Sequence, residues 1–261
     1  MTRYVLAALL AAAAVPSFGD YAISTSFDMS EWAQGQPIPS GGITGGTLTK
    51  NGDWTTSSGS RDQITAAANR PGSPGRGFRH WVGNGTNNAG GGIRLAWVGL
   101  PEFWLRYYVR FQRGFSWSGA TEMKTIYVNY GEAGTFYWGL KDGYFGGHVE
   151  VDRRAREGAL LGNLVSSVSW SEWQGGSRGD GRFHLVELHC KMNTGGLQNG
   201  VMEAWLDGVL VGSWHDVRFS PDGGRFSTMK VGENHNDPQN AADVYVDFDD
   251  IAISATGRVG P

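Results

Sequence analysis

Apolar and polar residues alternate with a period of two along most of the chain beyond its first twenty residues. From Trp104 to Phe111, Leu105, Tyr107, Val109 and Phe111 fall on one side, while Arg106, Tyr108 and Arg110 fall on the other. Successive side chains of a strand point to opposite faces of its sheet, so the first set is expected in the core. The same test puts Val149 and Val151 inward with His148, Glu150 and Asp152 outward. It puts Val186, Leu188, Cys190 and Met192 inward with Glu187, His189 and Lys191 outward. From Val201 to Leu206, Met202, Ala204 and Leu206 point inward, leaving Glu203 and Trp205 outward; Asp207-Gly208 then reads as a hairpin turn. A last strand, Val244 to Ile253, sets Val246 and Phe248 against Tyr245, Asp247 and Asp249. One segment resists the test: between Glu122 and Tyr130, Ile126 and Val128 share their side with Lys124. No long 3.6-residue period appears. The short exceptions are Ile64 to Asn69 and Arg153 to Leu161, and the loop-rich stretch from Ser40 to Gly92 reads as irregular edge strands. The predicted fold is all-β, two antiparallel sheets packed face to face.

The first residues follow another rule. Arg3 precedes an unbroken apolar run from Tyr4 to Val15, ended by Pro16 and by the small residues of Ser17-Phe18-Gly19. This is the layout of a secretory signal peptide, and the run is too short for a bilayer span. Residues 1–19 are therefore expected to be a signal peptide and residues 20–261 one domain, secreted or periplasmic, with no membrane segment. Asn84-Gly85-Thr86 matches a glycosylation sequon. The one cysteine, Cys190, sits on an apolar side and is expected to be a buried thiol, which leaves the fold without an internal disulfide.

Composition adds two points. Forty-one glycines suit many tight turns, and eleven tryptophans go beyond what turns and core demand. The net charge of −3 and the lack of a basic stripe argue against nucleic acid as a partner. A monomer is expected. The outward sides, pooled, hold Arg106, Tyr108, Arg110, His148, Glu150, Glu187, His189, Lys191, Glu203 and Trp205, with Lys124 as a possible addition. A solubilising face favours Lys, Glu, Ser and Thr. A face rich in Arg, His, Tyr and Trp instead suits a groove for a charged or hydroxyl-rich chain, so a polysaccharide is the expected partner.

The stretch from Phe183 through Asn193-Thr194 to Asn199-Gly200 and Trp205-Leu206-Asp207-Gly208 resembles a segment of jelly-roll polysaccharide lyases and related concanavalin A-like proteins. Trp104 to Phe111, then Phe115-Ser116-Trp117 and Glu122-Met123-Lys124, resemble the strand pair of that family. Val246 to Ser254 resembles its closing strand. The resemblance implies a concanavalin A-like β-jelly roll. It also implies β-elimination on a uronic-acid polymer such as alginate or glucuronan. That reaction removes the C5 proton, neutralises the adjacent carboxylate and protonates the leaving oxygen. Arg106, Arg110 and Lys124 are then the candidate neutralisers. Tyr108, His148 and His189 are candidate acid or base. Lys191, Glu187, Glu203 and Trp205 are candidate substrate contacts. Convergence of Tyr108, His189 and Arg106 on one open groove would favour the lyase, and loops filling that face instead would take most of the weight from an enzyme. The pattern departs from the family at Glu122-Met123-Lys124-Thr125, where many lyases carry a glycine-rich run.

Three other readings stand beside it. One is a lectin-like binding module, and another is a structural protein of a surface or matrix. The third, a glycoside hydrolase, has its nearest carboxylate motif at Glu150-Val151-Asp152, which lacks a final Glu in Arg153-Arg154-Ala155. No cofactor is expected. The aspartates Asp243, Asp247, Asp249 and Asp250 could hold a structural calcium.

Overall fold

The computed structural model describes residues 21–51, 62–83, 91–117, 122–130, 134–141, 143–151, 160–232, 235–236 and 240–261. The expected signal peptide, the sequon at Asn84 and the segment from Asp152 to Ala155 lie outside the described residues.

Two antiparallel sheets form a β-jelly roll. The first runs in the order β14 (Val209–Val217), β13 (Gly200–Leu206), β12 (His184–Lys191), β7 (Glu102–Phe111), β17 (Val244–Ser254), β5 (Gly77–Gly83), β4 (Gln63–Thr65) and β2 (Trp32–Ala33). Strand β1 (Tyr21–Thr25) also pairs with β17. The second runs β11 (Leu160–Ser169), β10 (Tyr144–Val151), β9 (Gly134–Lys141), β8 (Glu122–Asn129), β15 (Phe226–Val231), β6 (Ile93–Leu100) and β3 (Thr47–Lys50). Strand β16 (His235–Asn236) joins β8.

The core between the sheets is the one the alternation predicts. β7 alternates half-buried and buried along its whole length, with Leu105, Tyr107, Val109 and Phe111 inward. Val186, Leu188, Cys190, Met202, Ala204, Val246 and Phe248 join the same cluster. Cys190 is fully buried, which pushes its thiol pKa up. Burying large apolar side chains at about 1.5–3 kcal/mol each is the main drive for closing the two sheets. Most tryptophans serve it: Trp32, Trp97, Trp117, Trp138 and Trp173 are buried, and Trp170 and Trp214 pack against the core. Asp207-Gly208 does turn the β13–β14 hairpin, both residues with positive φ (49° and 83°). Two details differ from the expectation. β5, drawn from the loop-rich stretch, is an interior strand between β17 and β4. Ile64 to Asn69 is the end of β4 followed by one 3-10 turn, Ala66–Ala68, capped by Thr65.

The outer face of the first sheet is bound to its own chain. Asp247, fully buried, takes Arg79 Nε at 2.7 Å and Arg110 Nε at 2.9 Å. Removing a buried carboxylate from between two guanidinium groups leaves uncompensated charge, which costs about 3 kcal/mol or more. Asp247→Ala is therefore expected to lower the unfolding free energy by about that amount in urea denaturation, with an unchanged denaturant slope.

At the start of β12, His184 Nδ1 lies 2.8 Å from Asp207 and Nε2 3.2 Å from Asp180. Burial alone would lower the imidazole pKa, but the hydrogen bonds and charges of Asp207 and Asp180 hold it above 6.5. Burial would raise the Asp207 carboxyl; the His184 and Leu185 hydrogen bonds outweigh it and hold the pKa below 3.8. The histidine's contribution is complete below pH 6.5 and is lost as pH rises through its raised value. The aspartate's is complete above pH 3.8 and is lost as pH falls through its lowered value. The stability lost in His184→Gln should therefore be largest between pH 3.8 and 6.5 and shrink on either side, as measured by denaturation across pH.

Candidate functional site

The sandwich divides the pooled outward residues between two sheets. Arg106, Tyr108, Arg110, Glu187, His189, Lys191, Glu203 and Trp205 stand on strands of the first sheet, Lys124 and His148 on strands of the second. A period of two assigns a side of a strand, not the sheet that strand joins, so the single expected face is two faces.

On the first sheet the expected groove is filled from within the chain. Glu187, only 1 % exposed, accepts both Nε and Nη2 of Arg258 (3.0 and 2.6 Å) and the Gly260 N–H at 3.1 Å. Arg106 reaches the carbonyls of Asp250 and Gly260. The Arg258 guanidinium lies 4.5 Å above the Trp205 ring, and Arg70 lies 4.2 Å above Tyr108. Arg110 is held by Asp247 and by the Ala67 carbonyl. His189 sits between Glu203 (2.8 Å) and Glu102 (2.9 Å), its ring stacked on Trp104, and Lys191 lies 3.7 Å from Glu102. Tyr108, His189 and Arg106 thus each have their own partners within the chain. The aspartates at the end of the chain are likewise engaged. Asp250 accepts Arg70 and Ser73, and Asp249 accepts the N–H groups of Arg70 and Asp250. Among the described residues no group of three or more His, Cys, Asp or Glu side chains is arranged to hold a metal ion.

The second sheet is different. Across its strands one register line joins Thr49, Arg94, Lys230, Tyr127, Tyr137, His148 and Asn163, each paired with the next. Paired residues share a face, and adjacent strands lie about 4.8 Å apart, so the line crosses roughly 29 Å of sheet. Tyr127 and Tyr137 are outside the core cluster. Lys230 Nζ is 5.2 Å over the Tyr127 ring and Lys124 Nζ 5.0 Å over the Tyr137 ring, which places both lysines on the outward side. Arg94 is exposed; the Thr135 hydroxyl donates to Tyr127 Oη at 3.0 Å. His148 and Glu150 enter by backbone register alone: His148 pairs with Tyr137 and Glu150 with Thr135.

Lys124 reaches this face through an irregularity. The β8–β9 register shifts between Lys124 and Ile126. Thr125 is the inserted residue: fully buried, it donates to the Trp138 carbonyl at 2.9 Å and lies 3.2 Å from the Tyr107 hydroxyl across the core. Met123, Ile126 and Val128 point inward, leaving Lys124 and Tyr127 outward. An inserted residue of this kind re-aims the side chains beside it. The sequence signal was Ile126 and Val128 sharing a side with Lys124, a clash that a bulge resolves. Arg94, Lys230, Tyr127 and Tyr137, which share this line, were not among the candidates named from the sequence.

Gly139 accommodates the bulge, since a Cβ there would lie 1.9 Å from the Met123 carbonyl oxygen and 2.8 Å from Thr125 N. Gly139→Ala should therefore cost about 2–3 kcal/mol in urea denaturation, whereas Lys124→Ala, a half-exposed change, should stay within about 0.5 kcal/mol of the parent.

No protein-family model matches the chain, and no curated protein matches it by sequence. Several solved structures are similar in fold. One is the alginate lyase Aly36B, in a variant with a lysine and a tyrosine changed to alanine and bound to alginate tetrasaccharide. Its TM-score is 0.52 at 18% identity, over 76% of this chain and 84% of that one. Cip1, a cellulose induced protein, gives 0.50 at 16% identity, over 91% and 99%. The binding domain of Botulinum Neurotoxin DC in complex with SialylT gives 0.52 at 12% identity, over 90% of this chain and 48% of that one. They place the chain in the jelly-roll architecture that the sequence resemblance implied. No helix of the described residues is long and apolar enough to cross a membrane.

Proposed function

We propose that the register line on the second sheet binds an acidic polysaccharide and cleaves it by β-elimination. The observation that carries this is the alignment of Arg94, Lys230, Tyr127, Tyr137 and His148 in one line, with the Lys124 ammonium 5.0 Å over Tyr137. The fold is similar to that of a lyase whose alginate-bound variant lacks one lysine and one tyrosine. Arg94 and Lys230 are the charges for uronates along the chain. Lys124 neutralises the carboxylate of the residue being cut, which acidifies its C5 proton. His148 takes that proton as base. The C5–H electron pair becomes the C4=C5 double bond as the C4–O bond breaks, and the leaving oxygen takes a proton from solvent, to which His148 returns its own. The polymer is extracellular material, in keeping with the export expected from residues 1–19.

A panel of alginate, glucuronan and related polyuronates, followed by ultraviolet absorbance of the unsaturated product, tests this. The parent should yield product on at least one polymer. Lys124→Ala and His148→Ala should each lose about 100-fold or more in kcat/KM, and Trp205→Ala on the other sheet should stay within about twofold. Absence of product from every polymer would refute the lyase. A binding module is the second reading, because Tyr127 and Tyr137 are 6% and 1% exposed and the line presents chiefly cations to solvent. Glycan binding without product would select it.

A further inference from the structure

Lys124 stands outward because of a contact that begins on the other sheet. Tyr107, fully buried on β7, reaches across the core to Thr125, the extra residue of the β8 bulge. The Thr125 hydroxyl has one proton and gives it to the Trp138 carbonyl at 2.9 Å. It therefore accepts from the Tyr107 hydroxyl, 3.2 Å away. Burial pushes the Tyr107 phenol pKa up, which keeps that group a proton donor. The bulge is tied on its other side as well. Gly232 N–H donates to the Thr125 carbonyl at 3.0 Å, and the bare Gly139 leaves room for it against β9.

Tyr107 is itself fixed. Its ring packs on Phe248, with centroids 6.2 Å apart. Its neighbours on β7 are held on the outer face, Arg106 by the carbonyls of Asp250 and Gly260 and Tyr108 by the Arg70 guanidinium. A strand held on both faces is thus linked through two hydroxyls to the residue beside Lys124. We infer that Tyr107 and Thr125 are positioning residues for Lys124, holding its ammonium over Tyr137 where the proposed elimination uses a cation. This rests on the lyase reading above. Both hydroxyls are buried in the core, so neither touches the polymer. Their action is geometric: Thr125, drawn inward by a fixed partner, leaves Lys124 outward, 5.0 Å from the Tyr137 ring. Displacing a reacting group by about 1 Å costs up to about 100-fold in rate. The pair should therefore act on kcat, while binding along the line, carried by Arg94 and Lys230, is left alone.

Thr125→Val keeps the shape of the side chain and removes its hydroxyl. On the polymer that the parent cleaves, it should lower kcat about 10-fold or more with KM within about twofold, and Thr125→Ser should keep kcat within about threefold of the parent. Tyr107→Phe leaves the Trp138 bond intact; it should lower kcat in the same direction and serves alone if Thr125→Val does not fold. In a Lys124→Ala background, Thr125→Val should cost less than about twofold more, because its effect runs through Lys124. An unchanged kcat in Thr125→Val and Tyr107→Phe, or a loss just as large without Lys124, would overturn the inference. A second readout needs no activity. After reductive methylation with labelled formaldehyde, the Lys124 NMR signal, identified by its loss in Lys124→Arg, should be shielded by the Tyr137 ring in the parent and in Thr125→Ser. In Thr125→Val, or in Tyr107→Phe, it should move toward the position of a solvated lysine. A signal that stays in place would overturn the positioning. Cleavage of no polymer, with the signal moving as stated, would overturn the lyase alone.

Discussion

The outward face of the second sheet depends on one buried hydroxyl. Thr125 is drawn into the core by the Trp138 carbonyl and the Tyr107 hydroxyl, and that contact joins the two sheets. A hydroxyl buried without partners would cost a few kcal/mol, so the pair is kept and the backbone of β8 adjusts around it. The adjustment is the bulge. It leaves Ile126 and Val128 inward while Lys124 and Tyr127, three positions apart, both face outward. In a regular strand an odd separation puts two residues on opposite faces. The closeness of Lys124 to the tyrosine line is therefore a product of core polarity, and Gly139 is the complement that lets the bulge press against β9.

The two outer faces carry similar residue types and differ in what those residues meet. On the first sheet the cations are matched with a carboxylate, a carbonyl or an aromatic ring of the same chain. Arg79 and Arg110 share Asp247, Arg258 occupies Glu187, and Arg70 occupies Asp250. Buried ion pairs of this kind hold segments in place, here the tail after β17 and the turn after β4, and their net stabilisation is small beside the cost of breaking them. On the second sheet Lys124 and Lys230 lie over tyrosine rings, an attraction of about 0.5–1 kcal/mol at exposed sites.

Much of the fold was legible because burial in a two-sheet sandwich enforces a period of two. Leu105, Tyr107, Val186, Leu188, Met202 and Phe248 all pointed where their spacing said. Glu187 shows the limit. Its position put it outward, and it is outward, yet it is almost fully buried by Arg258 and Gly260, which lie about seventy residues on in the chain. Local spacing carries no information about which distant segment will cover a face. The same gap hid the division of the polar residues between sheets. His148 pairs with Tyr137 only because a β9–β10 hairpin and the β8–β9 register together place it there, and neither register follows from alternation.

What identity of 12–18% to the similar solved structures preserves is the packing of two sheets, since that is what the alternation enforces. The scaffold presents two outward faces, and the chemistry of each depends on whether loops and tails neutralise it. An acidic chain lying along a line of lysine, arginine and tyrosine gains contacts of modest strength at each strand it crosses. Affinity then grows with the number of strands covered and not with any one contact. That arrangement favours long ligands over monosaccharides whether or not the bond is cut. On the proposed reading it also separates recognition, distributed from β3 to β10, from the few atoms around Lys124 where the bond is cut.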